Sequence, residues 1–251
     1  MLKWIIALGC LSLIGCASTA TKNKEKAELY LRMGSTQMES GDYPQALRNI
    51  LQAEELDPTN PVIQNNLGMV YFMRERYDLA EKHLAKAISL DPKYSDARNN
   101  LSRVYIEVSK FDLAEKEVQQ VLNDLTYPNP ERAYMNLGLV KFNQKQYTSA
   151  RVAFSKALKQ VPDDCAAATY YGRTFFEVGD YSQAAEALDK AIGFCQKSQY
   201  DEPHYYSALA YYRLGEKSKS IARFEGLIKF YPSGTYREKA KGMLSLIRKG
   251  H

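Results

Sequence analysis

Amphipathic segments recur along the chain in pairs, and the pairs repeat at a fixed distance. Within a segment, apolar residues are spaced three and four positions apart, as on one face of a helix. Equivalent positions of the first two pairs lie 34 residues apart, as Gly34 and Gly68 or Tyr43 and Tyr77 show. Proline follows several of the second segments and stops a helix, because it lacks an amide donor. The pattern therefore predicts helical hairpins stacked in series.

The repeated positions resemble those of tetratricopeptide repeat proteins. Each pair has a small residue in its first helix and alanines in its second, where two helices cross closely. The resemblance implies an all-α, right-handed superhelical solenoid of about six helix-turn-helix repeats, because one repeat alone cannot bury its apolar face. The repeats are expected at 27–60, 61–94, 95–130, 131–164, 165–202 and 203–235, with a capping helix at 236–251. The sixth repeat lacks the aromatic residue that the others carry at their seventeenth position.

Residues 1–15 have the pattern of a secretory signal peptide. Lys3 provides a positive charge ahead of an apolar run from Trp4 to Ile14. This run is shorter than the roughly 20 residues that a membrane-spanning helix needs. The segment 16–26 that follows is small and polar, then rich in lysine, and predicts a flexible tether.

Cys16 follows Leu-Ile-Gly at 13–15, a sequence that resembles the bacterial lipobox. In a lipobox the cysteine is lipidated and becomes the first residue of the mature protein. Several acyl chains anchor a protein stably, and Ala17 in place of aspartate favours the outer membrane over the inner one. The resemblance implies a lipid-anchored protein facing the periplasm. The alternative is an ordinary secretory signal that ends in cysteine.

The charge of the chain and its lack of catalytic motifs argue against nucleic-acid binding and against an enzyme. The net charge of +5 falls to +4 without Lys3, and basic residues are dispersed among acidic ones, so nucleic-acid binding is not expected. None of the three histidines, His83, His204 and His251, stands at metal-ligand spacing from another histidine or cysteine. The sequence contains no glycine-rich phosphate loop and no serine nucleophile motif. It therefore predicts no catalysis, cofactor, metal or small-molecule substrate.

The first helices of a tetratricopeptide stack line its inner groove, and four positions of each repeat face into it. Such a groove, when apolar, accepts a helix or an extended segment of a partner protein. The predicted partner-binding residues are Leu31, Ser35, Met38, Asn65, Met69, Phe72, Asn99, Arg103, Ile106, Met135, Leu139 and Phe142. The same positions of the fifth repeat hold Ala166, Thr169, Arg173 and Phe176. For each residue, the alternative is packing against neighbouring helices.

A clamp for a terminal carboxylate is not expected in this groove. Tetratricopeptide domains that bind chaperones use lysine, asparagine and arginine at set inner positions for that purpose. The first repeat has Leu31 and Ser35 instead.

Two cysteines of the fifth repeat, Cys165 and Cys195, stand at its first and thirty-first positions. Antiparallel helices bring these two ends together, and an exported protein folds in an oxidising compartment. A disulfide between them is therefore predicted. The alternative is two buried cysteines that act as small hydrophobic residues.

Two extra residues interrupt the period between the third and fourth repeats, in the stretch from Leu125 to Gly138. This stretch, with Tyr127-Pro128 ahead of Asn136-Leu137-Gly138, resembles the PilF/PilW/Tgl group of type IV pilus lipoproteins. The lipobox and the six-repeat layout extend the resemblance over nearly the whole chain. It implies a pilotin, a lipoprotein that binds the subunit of the type IV pilus secretin and promotes its localisation and multimerisation in the outer membrane.

Two other function classes stay open. One is a general periplasmic adaptor lipoprotein that serves outer-membrane protein assembly or cell-wall enzymes. The other is a hydrolase with accessory tetratricopeptide repeats, which is disfavoured because the repeats occupy nearly all of the mature chain.

Overall fold

The computed structural model describes the backbone of residues 2–198 and 200–249, and the side chains of residues 21–196, 198 and 200–249. This part of the chain contains thirteen α-helices and no strand, which confirms the predicted all-α class. It divides into two compact units, residues 1–110 and 111–251. His251 and the side chain of Cys16 lie outside the described part, so the predictions made for them remain predictions.

The first unit contains α1 to α5, and the second contains α6 to α13. The helices of the first unit are α1 (Leu2–Glu39), α2 (Tyr43–Leu56), α3 (Pro61–Met73), α4 (Tyr77–Leu90) and α5 (Ser95–Glu107). Those of the second unit are α6 (Phe111–Leu122), α7 (Pro130–Asn143), α8 (Tyr147–Gln160), α9 (Cys165–Glu177), α10 (Tyr181–Phe194), α11 (Glu202–Arg213), α12 (Lys217–Phe230) and α13 (Arg237–Arg248). A 3₁₀ turn, Cys195–Lys197, follows α10.

The helix α1 extends through the segment that the sequence predicted as a flexible tether. It is continuous from Leu2 to Glu39 and thus includes residues 16–26. The physical reason lies in the composition of residues 22–32, which are mostly lysine, glutamate, alanine and leucine, all strong helix formers. Where the sequence predicted irregular chain, the structure has helix.

In four hairpins the two helices cross closely at a glycine of the first helix. A Cβ atom on Gly68 would lie 2.5 Å from Leu84 Cγ, and one on Gly172 would lie 2.7 Å from Leu188 Cγ. Gly34 meets Ile50, and Gly138 meets Phe154, in the same way. In every pair the large residue stands 16 positions after the glycine and is fully buried. The predicted close crossing at a small residue is therefore confirmed in these four hairpins.

The turn between the two helices of a hairpin contains one residue with a left-handed backbone. Glycine occupies this position in three hairpins, with φ between 77° and 84°. Glu75 and Lys145 occupy it in two others, with φ near 60°, and Ser109 after α5 has the same backbone conformation. The same turn geometry thus recurs whatever residue the sequence supplies.

A buried polar network joins the second and fourth helices of the first unit to α3. Gln64, which is fully buried, donates a hydrogen bond from Nε2 to Glu54 Oε1 at 2.8 Å. Its Oε1 lies 2.9 Å from Nδ1 of His83, whose ring stacks on Tyr71. Burial lowers the pKa of His83. His83 is thus a satisfied core residue of α4.

Counted from residue 203, the sixth repeat has Ala210 where the others have the crossing glycine, but the structure places the crossing two residues earlier. Ala208 and Phe224, again 16 positions apart, are fully buried in one cluster with Leu227 of α12 and Ala240 of α13. Ala210 packs instead against Leu188 of the preceding hairpin. The crossing residues of the fifth and sixth hairpins are therefore 36 positions apart instead of 34. Seven residues separate α10 from α11, whereas four separate α8 from α9.

We expect alanine substitution of two helical glycines in the second unit to change stability in opposite directions. Gly172→Ala forces a Cβ to within 2.7 Å of Leu188 Cγ and 3.2 Å of the Leu188 backbone nitrogen. Overpacking of this kind typically costs about 1–3 kcal/mol, more than the gain in helix propensity. Gly242→Ala in α13, where a Cβ meets nothing within 4 Å, gains up to about 1 kcal/mol.

Thermal unfolding followed by circular dichroism checks this pair. Gly172→Ala lowers Tm and Gly242→Ala raises it, and both variants keep the helix content of the wild type. An unchanged or higher Tm for Gly172→Ala would show that the two helices do not depend on close approach at this glycine.

Candidate functional site

The first helices of successive hairpins, α1, α3 and α5, form one face of the first unit. We call this the first-helix face of that unit. None of the nine predicted partner-binding residues on it is more than about a third exposed. Asn65 is 7% exposed and Asn99 is fully buried, whereas the other seven are half-buried. Leu31 and Met38 pack against the core cluster around Ile50 and Leu67.

Side-chain amides connect the three helices of this face. Asn66 Nδ2 of α3 donates to Ser35 Oγ of α1 at 3.0 Å, and Asn100 Nδ2 of α5 donates to Asn65 Oδ1 at 2.9 Å. Asn65 Nδ2 in turn donates to Asn66 Oδ1 at 3.2 Å. Asn65 and Ser35 therefore fix the spacing of the first helices. Their polar groups are used in these hydrogen bonds and are less available to a partner protein.

Phe72 and Arg103 form an aromatic and cationic contact between the second and third repeats. The Arg103 guanidinium carbon lies 4.9 Å from the centre of the Phe72 ring, which also packs against Tyr77. Both residues are half-buried. With half-buried Met69 and Ile106, and with Val62 at 42% exposure, they leave apolar surface on this face that a partner side chain can cover.

The first-helix face of the second unit is formed by α7, α9 and α11 and is rich in aromatic rings. The predicted residues Met135, Leu139 and Phe142 of α7 are half-buried. Phe142 contacts Tyr147 of its own hairpin edge to face at 5.3 Å and Tyr170 of α9 at 5.4 Å. Aromatic contacts of this geometry stabilise neighbouring helices beyond simple burial.

Arg173 lies at the centre of this face, with its guanidinium enclosed by three rings. The guanidinium carbon is 4.6 Å from the centre of Phe142, 5.1 Å from Tyr170 and 4.4 Å from Tyr206 of α11. Arginine stacks on aromatic faces in this way because the ring faces are electron-rich. The residue thus links three successive first helices.

Glu202 neutralises Arg173. Its Oε1 accepts a hydrogen bond from Nη1 at 2.5 Å, and the two side chains are only 8% and 14% exposed. Burial by itself lowers the pKa of Arg173, but the charge of Glu202 outweighs it, so the pKa is raised. Arg173 is therefore engaged by groups of its own chain.

Residues of the linker before α11 complete the cluster, and the sequence did not predict them. Tyr200 Oη donates to Glu202 Oε2 at 2.5 Å, and Asp201 Oδ2 accepts from the backbone N–H of Tyr236 at 2.7 Å. Burial raises the pKa of Tyr200 and of Tyr236 well above the usual tyrosine value. The many tyrosines between residues 200 and 236 are the sequence feature that could have indicated this cluster. Some of them lie outside the repeated pattern, so the repeat positions did not single them out.

A disulfide joins the two ends of the fifth hairpin. The Sγ atoms of Cys165 and Cys195 are 2.07 Å apart, and their Cα atoms are 5.0 Å apart. Cys195 is fully buried. The bond ties the start of α9, the helix of Arg173, to the 3₁₀ turn that leads to Tyr200 and Glu202.

Among the described residues, no group of three histidine, cysteine, aspartate or glutamate side chains is placed to hold a metal ion. None of the helices searched in this part of the chain has the length and apolarity needed to cross a bilayer. His204 is half-buried against Tyr231 at 5.2 Å. Aromatic, apolar and amide groups dominate both first-helix faces.

We expect Arg173→Ala to destabilise the second unit strongly. The substitution leaves the buried carboxylate of Glu202 without its partner, which typically costs about 3–5 kcal/mol. Arg173→Lys keeps the charge and costs less, because only the planar stacking is lost. The control is Arg213→Ala, since Arg213 is exposed and lies 6.0 Å from the Tyr181 ring. Urea unfolding measures the three effects, and equal midpoints for Arg173→Ala and Arg213→Ala would contradict this account.

Models of the tetratricopeptide repeat match most of the chain. They match residues 34–74, 61–94, 99–165, 137–202 and 204–234. No curated protein matches the sequence significantly.

Several solved structures are similar to this chain over most of its length. PilW, described as a widely conserved type IV pilus biogenesis factor, has a TM-score of 0.78 at 20% identity, covering 85% of this chain and 97% of its own. PilF of Pseudomonas aeruginosa has a TM-score of 0.75 at 19% identity, covering 88% and 99%. Cut9, from an APC/C hetero-tetramer with Hcn1, has a TM-score of 0.77 at 18% identity, but only 42% of its chain is covered.

These identities are low, so the similarity establishes a shared fold. Taken together, the five matched ranges cover residues 34–94, 99–202 and 204–234. The glycine crossings recur at the spacing that this repeat requires. The chain therefore belongs to the tetratricopeptide repeat proteins.

Proposed function

We propose that this protein is a non-catalytic pilotin, a lipoprotein anchored in the outer membrane that binds the secretin subunit of a type IV pilus. In this role it promotes the localisation and multimerisation of the secretin. The single observation that carries the proposal is the match to PilW and PilF over 97% and 99% of their chains. PilW and PilF agree with this chain in length as well as in fold, whereas Cut9 is much longer.

The amino-terminal sequence supports the anchoring part of the proposal. Cys16 stands where a lipobox cysteine is lipidated, and Ala17 favours export to the outer membrane. Several acyl chains give the stable membrane binding that one chain does not. If the helix of residues 16–26 persists in the mature protein, it spaces the first repeat roughly 16 Å from the lipid, at 1.5 Å per residue.

The first-helix faces support the binding part. On the first unit, Val62, Met69, Phe72 and Ile106 present apolar surface beside a ladder of amides. The amides hold the helices of this face in place, and the apolar side chains accept the anchors of an extended segment. A segment of the secretin subunit is the proposed occupant.

The experiment compares three strains: wild type, a strain without this protein, and a strain that carries Cys16→Ala. We expect heat-stable secretin multimers to disappear or to leave the outer-membrane fraction in the deletion strain. Cys16→Ala is expected to reproduce the mislocalisation, because it removes the anchor and leaves the repeats intact. Immunoblots of fractionated membranes without boiling provide the measurement.

A matched pair of surface substitutions separates binding from anchoring. Val62→Glu places a charge on the first-helix face and reduces multimers, whereas Leu246→Glu changes an equally exposed residue of α13 and leaves them unchanged. Normal multimers in the outer membrane of the deletion strain would overturn the proposal. The general periplasmic adaptor for outer-membrane or cell-wall proteins would then be the remaining function.

A further inference from the structure

The second unit has a second recessed surface, on the side opposite its first-helix face. Tyr171 and Phe175 of α9 point to this side, because at 100° per residue they stand about half a turn away from Arg173. They lie between the second helices α8 and α10. We call this surface the second-helix cleft, and neither the fold nor the proposed function uses it.

One half of the second-helix cleft is cationic. It is lined by Arg151, Lys156 and Lys159 of α8, together with Val152, Ser155 and Tyr171. The helix α8 contains no acidic residue. Among the described residues, no carboxylate forms an ion pair with any of these three cations. The cationic half therefore offers positive charge that the chain itself does not neutralise.

The other half is mostly apolar, with Gln183, Glu186 and Lys190 also in its lining, and shares Tyr171 as its wall. Leu158, Ala168, Phe175 and Phe194 line a recess of about 200 Å³ there. Phe194 remains 43% exposed. The Glu186 carboxylate at the rim is paired with Lys190 at 2.8 Å, so it does not repel an incoming anion strongly. The recess has room for about one large apolar side chain.

Arg151 joins the two halves. Its guanidinium carbon lies 4.4 Å from the centre of the Phe175 ring, so a cation is held directly above the apolar floor. An arginine fixed in this way presents its donors to a carboxylate without a large loss of side-chain freedom. The geometry favours a ligand whose negative charge and apolar group are adjacent.

We propose that the second-helix cleft docks an acidic segment of a partner protein, in which aspartate or glutamate stands next to a large apolar residue. The carboxylates contact Lys156, Lys159 and Arg151, and the apolar side chain fills the recess at Phe194. Charge complementarity selects this occupant, because the cationic half has no carboxylate in its lining. The proposal is independent of the pilotin assignment, since it concerns a different face.

The concave shape favours a peptide over an anionic membrane surface. A bilayer binds protruding apolar and basic side chains that enter its headgroup region. Here Tyr171 and Phe175 are half-buried at the bottom of a recess. A single inserted side chain reaches them, whereas a flat lipid surface does not.

The test selects peptides from a random 12-residue phage library on the purified full-length chain in mild detergent. Two immobilised variants distinguish binding in the second-helix cleft from binding elsewhere on the chain. Lys156→Gln with Lys159→Gln removes two cations of the cleft, and Lys116→Gln with Lys217→Gln removes two exposed cations of the same unit elsewhere. Both variants change the net charge equally, so non-specific attraction is matched.

We expect enrichment of peptides with at least two acidic residues beside phenylalanine, leucine or tryptophan. Fluorescence anisotropy measures the affinity of such a peptide for each variant. The cleft variant should bind it roughly tenfold more weakly than the wild type, and the control variant less than twofold more weakly. Binding to the wild type should also depend more steeply on salt concentration than binding to the cleft variant. Phe194→Ala should weaken the same peptide.

Two outcomes overturn the proposal. The first is enrichment without acidic residues, or equal affinity of the two double variants for the selected peptide. The second is cleft-dependent binding of phosphatidylglycerol vesicles with no selected acidic peptide, which would assign this face to a membrane.

Discussion

The structure depends on the close approach of two helices at one small residue, which recurs in hairpins of both units. At Gly34, Gly68, Gly138 and Gly172 the backbone is in contact with a large buried side chain of the second helix, and a Cβ would collide with it. This crossing fixes the angle between the helices and buries one side of each. The opposite sides remain for contacts with the next hairpin and for binding.

Contacts between hairpins use polar and aromatic groups as well as apolar ones, and they differ between the two units. In the first unit, amides of Asn65 and Asn100 connect first helices, whereas in the second unit Arg173 is stacked among three rings and paired with Glu202. A buried arginine is stable only with such a partner. The second unit is therefore held by a charged cluster whose members come from the repeats and from a linker, with a disulfide beside it.

The periodic part of the structure could be predicted from the sequence, and the aperiodic part could not. Repeated glycine, alanine and aromatic positions predicted the crossings at Gly34, Gly68, Gly138 and Gly172, because each repeat meets the same neighbours. The burial of Asn65 and Asn99 depends on side chains of adjacent repeats, which a position in one repeat does not reveal. The longer linker before α11 shifted the sixth register, and Tyr200 and Glu202 lie in or next to that linker.

The central claim is that partner proteins are held on the first-helix faces. Site-specific photo-crosslinking in living cells tests it most directly, with a benzophenone amino acid at Val62 of α3 or at Leu51 of α2, which are exposed on a first and a second helix. The account predicts an adduct with the secretin subunit from position 62 and none from position 51. Equal adducts from both positions, or no secretin adduct from position 62, would contradict it.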